Sequence, residues 1–344
     1  AMLSVVKTRP EPGIEILDCP EPTITHDGHV LLEVAACGVC GSDLHFYEWA
    51  PHMRGEITLP RILGHEVAGT VVEVGRAVTQ FKPGDRVVTE TWGGCGRCYY
   101  CRLGRFNQCM YQTRIGQKAE GGMARYVIVP DISLYNIPAD MPLDEAAVIE
   151  PVGVALHSLE RVDLKPGDSV AVIGPGPIGI LAAMLADRAG AHRVIVLGLA
   201  ADEARLDLVR RMGYDVVITD REDPVEAVRN RTEGRGVELA LDVSGGYGTL
   251  SLALDLVRLG GQIGVVGMSP EAPFNPSIAA IKEVTIHGSF RRQPSTWFRA
   301  IKLVSSRKLD VRPLITHRVP VAKAREVFEI LLHRKGIKAI ITPD

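Results

Sequence analysis

The fold of this 344-residue chain is decided by the stretch Ser169-Val-Ala-Val-Ile173 and Gly174-Pro-Gly-Pro-Ile-Gly179. Its first five residues are typical of a buried strand, and apolar residues from Ile178 to Leu185 recur at the spacing of one helix face. A strand, a G-x-G-x-x-G turn and a helix form the fingerprint of dinucleotide binding, because the glycines let backbone approach a pyrophosphate at the helix N-terminus. The pattern predicts dinucleotide contacts at Gly174, Gly176, Pro177, Ile178 and Gly179.

Further strand candidates follow this stretch, with helical segments between them. They are Val194–Leu197, Val216–Thr219, Glu238–Asp242, Gln262–Val266 and Val284–His287. Strands that alternate with helices predict an α/β fold, here a Rossmann domain built on a doubly wound parallel sheet. The last segment is predicted to contain a helix at Ile301–Leu309, a strand at Thr316–Val319, a helix at Val321–Leu332 and a strand at Ile337–Ile341.

The end of the second predicted strand bears on which dinucleotide is bound. An acidic residue at this place normally binds the ribose hydroxyls, but Gly198 holds the position. Asp202 follows a little later, and Arg205 follows further on. Arg205 could accept the 2′-phosphate of NADP, whereas Asp202 could reach the ribose of NAD. The residues leave both cofactors open.

The first part of the chain is predicted to form a small, strongly bent, barrel-like sheet. Glycine and β-branched residues fill the segment from Val67 to Gly75, and a turn at Lys82-Pro83-Gly84-Asp85 leads into another strand. Residues of these types fit a sheet that bends sharply.

Two short motifs in this part supply the ligand types of a catalytic zinc ion: Cys40-Gly-Ser-Asp-Leu-His45 and Gly64-His65-Glu66. A thiolate, an imidazole and a carboxylate suit Zn²⁺ when one coordination position is left for substrate. Ser42 and His45 are three residues apart, so a hydroxyl and an imidazole could carry a proton from an alcohol towards water. The motifs predict metal ligands at Cys40, His65 and Glu66 and catalytic roles for Ser42, His45 and Glu66.

Four cysteines lie close together at Cys95, Cys98, Cys101 and Cys109. Three cysteines at C-x₂-C-x₂-C spacing and a fourth further on can close around one structural zinc ion. A bacterial iron–sulfur run begins in the same way, but its fourth cysteine follows after three residues and is trailed by proline, whereas Met110 follows Cys109. The spacing therefore favours structural zinc over a cluster or unligated thiols.

Glu150 opens an apolar helical segment that continues through Pro151 to His157. A carboxylate in this position either interacts with the helix dipole or takes part in a metal site, and the local sequence leaves both roles open. His157 is assigned to packing.

The composition argues against several classes of function. A formal net charge of −2 gives no sign of a nucleic-acid or membrane-surface partner. No apolar run has the length of a membrane span and no signal peptide is recognisable, so we expect a cytoplasmic protein. In a reducing compartment, seven cysteines indicate metal binding rather than disulfides.

Together these motifs resemble those of the zinc-dependent medium-chain dehydrogenases, most closely the polyol (sorbitol-type) and threonine dehydrogenase branches. The resemblance implies a GroES-like β-barrel catalytic domain over residues 1–157, with a structural zinc lobe at about residues 93–110. It further implies a Rossmann domain over residues 158–292 and a return of the chain to the catalytic domain over residues 293–344.

The resemblance also implies roles for single residues. Cys40, His65 and Glu66 would hold the catalytic zinc, with Glu150 at the metal directly or through water, and Asp43 would orient His65. Two further groups match family positions at the nicotinamide and at the substrate. They are Val243, Val266 and Phe290 at the nicotinamide, and Tyr47, Trp49 and Arg291 at the substrate.

The reaction that the resemblance implies is oxidation of a secondary alcohol of a polyol, sugar or sugar derivative to a ketone. It would use NAD or NADP and two zinc ions per chain, one catalytic and one structural. An amino-alcohol dehydrogenase similar to L-threonine 3-dehydrogenase is the alternative. A zinc-free reductase and a non-catalytic nucleotide-binding protein are opposed by the complete ligand set and by the Ser42–His45 pair. Family likeness suggests a homotetramer or dimer, with a small-molecule substrate as its partner and neither nucleic acid nor membrane.

Overall fold

The computed structural model describes residues 1–343, which form two compact units. The first unit is Ala1–Glu150 together with the chain from Gln293 onward, and the second unit is Pro151–Arg292. The first division falls within the helix Ile149–Glu160, and the sequence-based limit at residue 157 lies later in the same helix. Each unit has its own hydrophobic core.

Short strands dominate the chain up to the first division. They are β1 (Met2–Lys7), β2 (Glu15–Cys19), β3 (His29–Gly38), β4 (Arg61–Ile62), β5 (Glu66–Val74), β6 (Arg86–Thr89), β7 (Trp92–Gly93), β8 (Thr113–Arg114), β9 (Tyr126–Pro130) and β10 (Leu134–Asn136). The α-helices of this part are α1 (Gly41–Tyr47), α2 (Tyr99–Arg102), α3 (Leu143–Ala147) and α4 (Ile149–Glu160).

Strand β3 organises the sheet of the first unit. Alternate residues along β3 are buried, which is the pattern of a strand with one face on a core. β5 and β9 both pair with β3, and the β3–β5 register shifts between Leu31 and Leu32 and again between Val34 and Ala36. Such shifts bend a sheet, so the predicted bent sheet is confirmed. One hydrophobic core underlies it, with residues from both ends of the chain, from Val5 to Ile341.

The second unit alternates strands and helices. They are β11 (Ser169–Ile173), α5 (Pro177–Arg188), β12 (Arg193–Gly198), α6 (Glu203–Arg211), β13 (Asp215–Ile218), α7 (Pro224–Arg231), β14 (Val237–Asp242), α8 (Thr249–Leu256), β15 (Val257–Val265), α9 (Pro276–Lys282) and β16 (Thr285–Gly288). All pairs in the six-stranded sheet are parallel, and the order is β13-β12-β11-β14-β15-β16. This is the 3-2-1-4-5-6 order of the Rossmann fold, and it confirms the prediction.

The final segment returns to the first unit. Its elements are α10 (Pro294–Ser305), β17 (Ile315–Pro320), α11 (Ala324–Leu332) and β18 (Lys338–Thr342). The helix predicted at Ile301–Leu309 begins earlier because Pro294 occupies the first helical turn, where a missing backbone N–H costs nothing. β18 pairs antiparallel with β3, with Ile340 opposite Gly38, and completes the seven-stranded sheet. Within residues 1–343, no helix combines the length and apolarity needed to cross a bilayer.

Candidate active site and metal sites

Cys40 lies immediately before helix α1, at the end of the turn that follows β3. Its backbone N–H donates a 2.9 Å hydrogen bond to Oδ2 of Asp43, one helical turn further on. Asp43 is fully buried, so its carboxylate fixes both the start of the helix and the position of the cysteine. The position of this thiol is therefore set by local sequence.

His65 faces the same aspartate. Its Nδ1 lies 3.8 Å from Oδ1 of Asp43, and both side chains are buried. Burial lowers the pKa of a histidine, but the negative charges of Asp43, Cys40 and Glu150 outweigh burial here and raise the pKa of His65 to about 10. The surroundings of His65 therefore favour positive charge, which is the electrostatic condition for a bound cation.

Glu66 begins strand β5, opposite Gly38 of β3. A Cβ at Gly38 would overlap Oε2 of Glu66, so only glycine leaves room for the carboxylate at this point. Lys338, the first residue of β18, places its Nζ 2.7 Å from Oε1 and 2.8 Å from Oε2 of Glu66. Burial lowers the pKa of a lysine, but Glu66, with Cys40 and Glu150, outweighs it and raises the pKa of Lys338. The lysine is therefore a buried cation.

These residues fit a zinc ion. One ligand atom each from Cys40, His65 and Glu66 lie within 4.8 Å of one another. Ligands at about 2.0–2.3 Å from a tetrahedral zinc ion are roughly 3.3–3.8 Å apart, so the spacing of the cluster is compatible with coordination of one ion. Thiolate, imidazole and carboxylate are also the donor types that zinc accepts.

Glu150 is buried near this cluster, but it is not among the three residues whose ligand atoms lie within 4.8 Å of one another. The hydroxyl of Thr91 donates a 3.1 Å hydrogen bond to its Oε1. Glu150 also acts electrostatically on both His65 and Glu66. Its carboxylate therefore adds negative charge to the site.

The four clustered cysteines form a second candidate metal site. Their sulfur atoms lie within 4.8 Å of one another. Two backbone N–H groups, of Cys95 and Tyr111, donate 3.3 Å hydrogen bonds to Sγ of Cys109. N–H groups of Cys101 and Met110 lower the pKa of Cys98 to about 6, whereas burial raises the pKa of Cys101 and of Cys109. A loop that turns its N–H groups towards sulfur stabilises thiolates, which are the form that binds zinc.

In the second unit, the predicted cofactor residues lie at the carboxyl ends of the parallel strands. Gly174 follows β11 with φ of +108°, in the left-handed region that favours glycine. Gly176 caps the N-terminus of α5, and Pro177 begins the helix. Val243 follows β14, Val266 follows β15 and Phe290 lies just past β16. This edge of an open α/β sheet is where such folds bind ligands.

The chain matches two family models, the alcohol dehydrogenase GroES-like domain over residues 26–139 and the zinc-binding dehydrogenase over residues 177–306. It is 35% identical over 347 residues to sorbitol dehydrogenase of Halalkalibacterium halodurans, covering 99% of both chains. It is 36% identical over 350 residues to L-threonine 3-dehydrogenase of Thermococcus kodakarensis, covering 99% of this chain and 98% of the relative. The chain belongs to the zinc-dependent medium-chain dehydrogenases.

A solved member of this dehydrogenase family supports the same assignment. A zinc-binding dehydrogenase of Sinorhizobium meliloti, bound to NADP, superimposes with a TM-score of 0.89 at 30% identity and covers 99% of both chains. The predicted fold, a GroES-like domain with a Rossmann domain, is confirmed, and the protein is an enzyme of the dehydrogenase class.

The predicted proton relay lies on helix α1 of this dehydrogenase. Ser42 and His45 are three residues apart on the helix, a spacing that places two side chains on one face. His45 contacts the ring of His52 at 5.0 Å, and its Nδ1 lies 3.9 Å from Glu48. Partial burial and His52 lower the pKa of His45 against the opposing effect of Glu48. The imidazole is therefore neutral, and able to accept a proton, at neutral pH.

Tyr47 and Trp49 make contacts away from the cysteine and histidine ligands. The hydroxyl of Tyr47 hydrogen-bonds Glu329, and its ring lies 5.6 Å from that of Phe328, so the side chain packs against α11. Nζ of Lys7 lies 5.4 Å from the centre of the Trp49 ring. In the second unit, the Arg291 guanidinium lies 4.1 Å from the Phe290 ring. Contact of Tyr47, Trp49 and Arg291 with substrate stays a prediction.

The loop after β12 shows where the charged residues near Gly198 point. Oδ2 of Asp202 accepts a 3.2 Å hydrogen bond from the N–H of Leu199, and Oδ1 lies 3.7 Å from Arg205. Asp202 and Arg205 therefore interact with each other and with their own loop. A Cβ at Gly198 would lie 2.8 Å from the ring of Pro175, so this strand end has little room for a carboxylate side chain.

The sequence did not point to Lys338 or Thr91 as parts of the site. A lysine at the head of the apolar run Ala339-Ile-Ile341 was the available signal for the first, because lysines are almost never fully buried unless paired. Thr91 gave no comparable signal, since its partner Glu150 is distant in the sequence.

Proposed function

We propose that the protein oxidises a secondary alcohol of a polyol, sugar or sugar derivative to a ketone with NAD or NADP. The observation that carries the proposal is the cluster of Cys40, His65 and Glu66, whose ligand atoms lie within 4.8 Å of one another beside helix α1. A thiolate, an imidazole and a carboxylate leave a zinc ion able to take an alcohol oxygen as a further ligand.

Each chain would hold two zinc ions, one at this cluster and one at the four cysteines. The catalytic ion, when bound, would supply Lewis acidity that lowers the pKa of a substrate hydroxyl. Asp43 would keep His65 in the orientation that ligation requires. Glu150 would sit at the ion directly or through water, held by Thr91. The cysteine lobe would have a structural role.

The proton of the alcohol would leave through helix α1. Ser42 would accept it from the substrate, and His45 would take it on towards solvent, to which its side chain is 48% exposed. The lowered pKa of His45 keeps the acceptor form populated at neutral pH. The nicotinamide of the bound dinucleotide supplies the hydride acceptor.

The substrate class can be decided by a panel. Zinc-loaded protein would be mixed with NAD or NADP in parallel, and cofactor reduction would be recorded with polyols, sugars, sugar acids, threonine and simple secondary alcohols. A polyol or sugar with the highest kcat/KM supports the proposal. Threonine as the best substrate would replace it with the amino-alcohol alternative, which is supported by the 36% identity to a threonine dehydrogenase.

The same panel tests whether turnover depends on the proposed metal ligands. The Cys40→Ala variant is the matched control, because it removes one metal ligand outside the Rossmann sheet. If the intact protein binds NAD or NADP but turns over no member of the panel, and the variant behaves identically, the proposed substrate class is contradicted.

We also propose that the protein is a homo-oligomer. Strand β16 is the last strand of the six-stranded sheet, and Ile286 on it is 42% exposed. Leu259 and Ile281, also in the second unit, are exposed as well. An edge strand with apolar side chains is a template for pairing with another chain, here a second copy. Light scattering of the intact protein and of Ile286→Lys tests this. The variant is expected to form a smaller assembly, with a lower molar mass in solution.

A further inference from the structure

Lys338 is a lysine whose side chain is only 2% exposed, and it stands at the first position of the last strand. Its Nζ makes three contacts, with Oε1 of Glu66 at 2.7 Å, with Oε2 of Glu66 at 2.8 Å and with the carbonyl oxygen of Val39 at 2.9 Å. These use the three donors of an ammonium group completely. Lys338 therefore binds both carboxylate oxygens of Glu66, which is also a candidate zinc ligand.

We propose that Lys338 is the counter-ion of Glu66. It stabilises the fold of the metal site when zinc is absent, and it competes with zinc for the same carboxylate. The inference rests on the proposed zinc site at Cys40, His65 and Glu66. It makes Lys338 a positioning residue, which acts on the metal through Glu66 and has no place of its own in the reaction.

The charges of the site support this role. Glu66 and Asp43 are buried acidic residues, and Glu150 adds a third carboxylate close by. A buried carboxylate that loses its partner is strongly destabilising, because the charge has been removed from water without compensation. Without zinc, Lys338 supplies that compensation for Glu66. With zinc bound, the ion supplies it as well, and the lysine becomes less necessary.

A thermodynamic consequence follows for zinc binding. A change that destabilises the metal-free form more than the zinc-loaded form must tighten zinc binding by the same free-energy difference. Removal of the lysine charge should therefore increase the affinity of the catalytic site for zinc. An ordinary core residue would behave differently, because its loss would destabilise both forms equally.

The chain offers a matched control in Lys7. This lysine is 1% exposed and lies in the same unit, but its Nζ bonds the backbone carbonyl oxygens of Glu11 and Gly13. Lys7 is thus a second buried lysine of the first unit. Its hydrogen-bond partners are uncharged, whereas Lys338 bonds the carboxylate of Glu66. Lys7→Met should lower stability without altering the metal site.

The experiment compares the intact chain with Lys338→Met and Lys7→Met. Each protein is dialysed until native mass spectrometry shows one zinc per chain, which we assign to the four cysteines, and zinc is then returned in competition with a chelator of known affinity. We expect Lys338→Met to bind the second zinc at least about tenfold more tightly. Its thermal midpoint should fall much more in the one-zinc form than in the two-zinc form, whereas Lys7→Met should lower both midpoints alike.

A second pair of variants tests whether the effect of Lys338 depends on the carboxylate of Glu66. In a Glu66→Gln background the carboxylate for which Lys338 and zinc compete is absent, so adding Lys338→Met should tighten zinc binding much less than it does in the intact chain. If Lys338→Met folds only when zinc is supplied, that result supports the counter-ion role. Failure to fold even with excess zinc would contradict it.

Two other results would be decisive. Unchanged or weaker zinc affinity in Lys338→Met, or equal losses of stability in the two metal states, would show that the lysine is only a structural residue. An intact protein that never takes up a second zinc would instead contradict the proposed catalytic site, whatever the variants of Lys338 do.

Discussion

The indole Nε1 of Trp297 donates a 2.6 Å hydrogen bond to Oε2 of Glu90, although the two residues are 207 positions apart. Trp297 is fully buried on α10, and Glu90 is 9% exposed just after β6. The other carboxylate oxygen of Glu90 accepts a hydrogen bond from the backbone N–H of Trp92. The next residue, Thr91, bonds Glu150. The consecutive residues Glu90 and Thr91 thus connect Trp297 of the C-terminal segment to Glu150, the carboxylate near the metal ligands.

Replacing Trp297 by phenylalanine should destabilise the first unit. The ring stacking on Tyr135, with centroids 5.0 Å apart, can largely persist, but the carboxylate of Glu90 loses a buried donor. A buried acceptor that loses its donor costs about 1–3 kcal/mol. The measurement is the urea midpoint followed by circular dichroism. Tyr247→Phe, at a side chain that is 68% exposed, is the control and should change the midpoint very little; equal midpoints for the two variants would contradict the prediction.

The two metal sites should respond differently to loss of a cysteine. Cys40→Ala should abolish turnover while the protein stays folded, because the catalytic site lies on a helix and sheet with their own core. Cys98→Ala should mainly lower the thermal midpoint, since the small cluster of the lobe contains little besides its cysteines and two aromatic rings. Activity, zinc content and thermal midpoint of each variant test this. Near-normal activity in Cys40→Ala would show that the catalytic assignment is wrong.

The sequence predicted the second unit well because its signals are local. The strand predicted at Val194–Leu197 is observed at Arg193–Gly198, and the one at Glu238–Asp242 is observed at Val237–Asp242. Buried parallel strands are short apolar runs bounded by turns, and the glycine turn occupies consecutive positions. Both kinds of pattern are present in a few neighbouring residues.

The partners of the site residues were not predictable in the same way. The contact of Lys338 with Glu66 spans 272 positions, and it exists because β18 pairs with β3 beside β5. No local pattern encodes such a pairing. Tyr47 illustrates the same limit: the resemblance assigns it to the substrate, and no local pattern indicated that its hydroxyl bonds Glu329 of α11.

His45 should control the dependence of activity on pH. Because burial and His52 hold the pKa of His45 below its ordinary value of about 6.5, the neutral acceptor form persists at pH 7. Protonation removes the acceptor, so kcat should fall as the pH falls through this lowered pKa and stay level above it. His45→Ala should reduce kcat at pH 7 by about 10²-fold or more, with partial recovery at high pH, where hydroxide can replace the base.

A control for the relay is His26→Ala, an exposed histidine of the first unit outside helix α1. Its pH profile should match that of the intact protein. If His45→Ala lost the same factor at every pH, the side chain would have a positioning role rather than a role in proton transfer.

Gly38→Ala should empty the catalytic metal site and leave the cysteine site filled. The added Cβ would overlap Oε2 of Glu66, and the carboxylate would have to leave its place between β3 and Lys338. Gly41→Ala is the matched control, three residues away, because a Cβ there would meet no atom within 4 Å. Zinc counting by mass spectrometry should find one ion per chain in Gly38→Ala and two in Gly41→Ala. Two ions in both variants, with equal affinity, would show that Glu66 does not need its observed position to hold the metal.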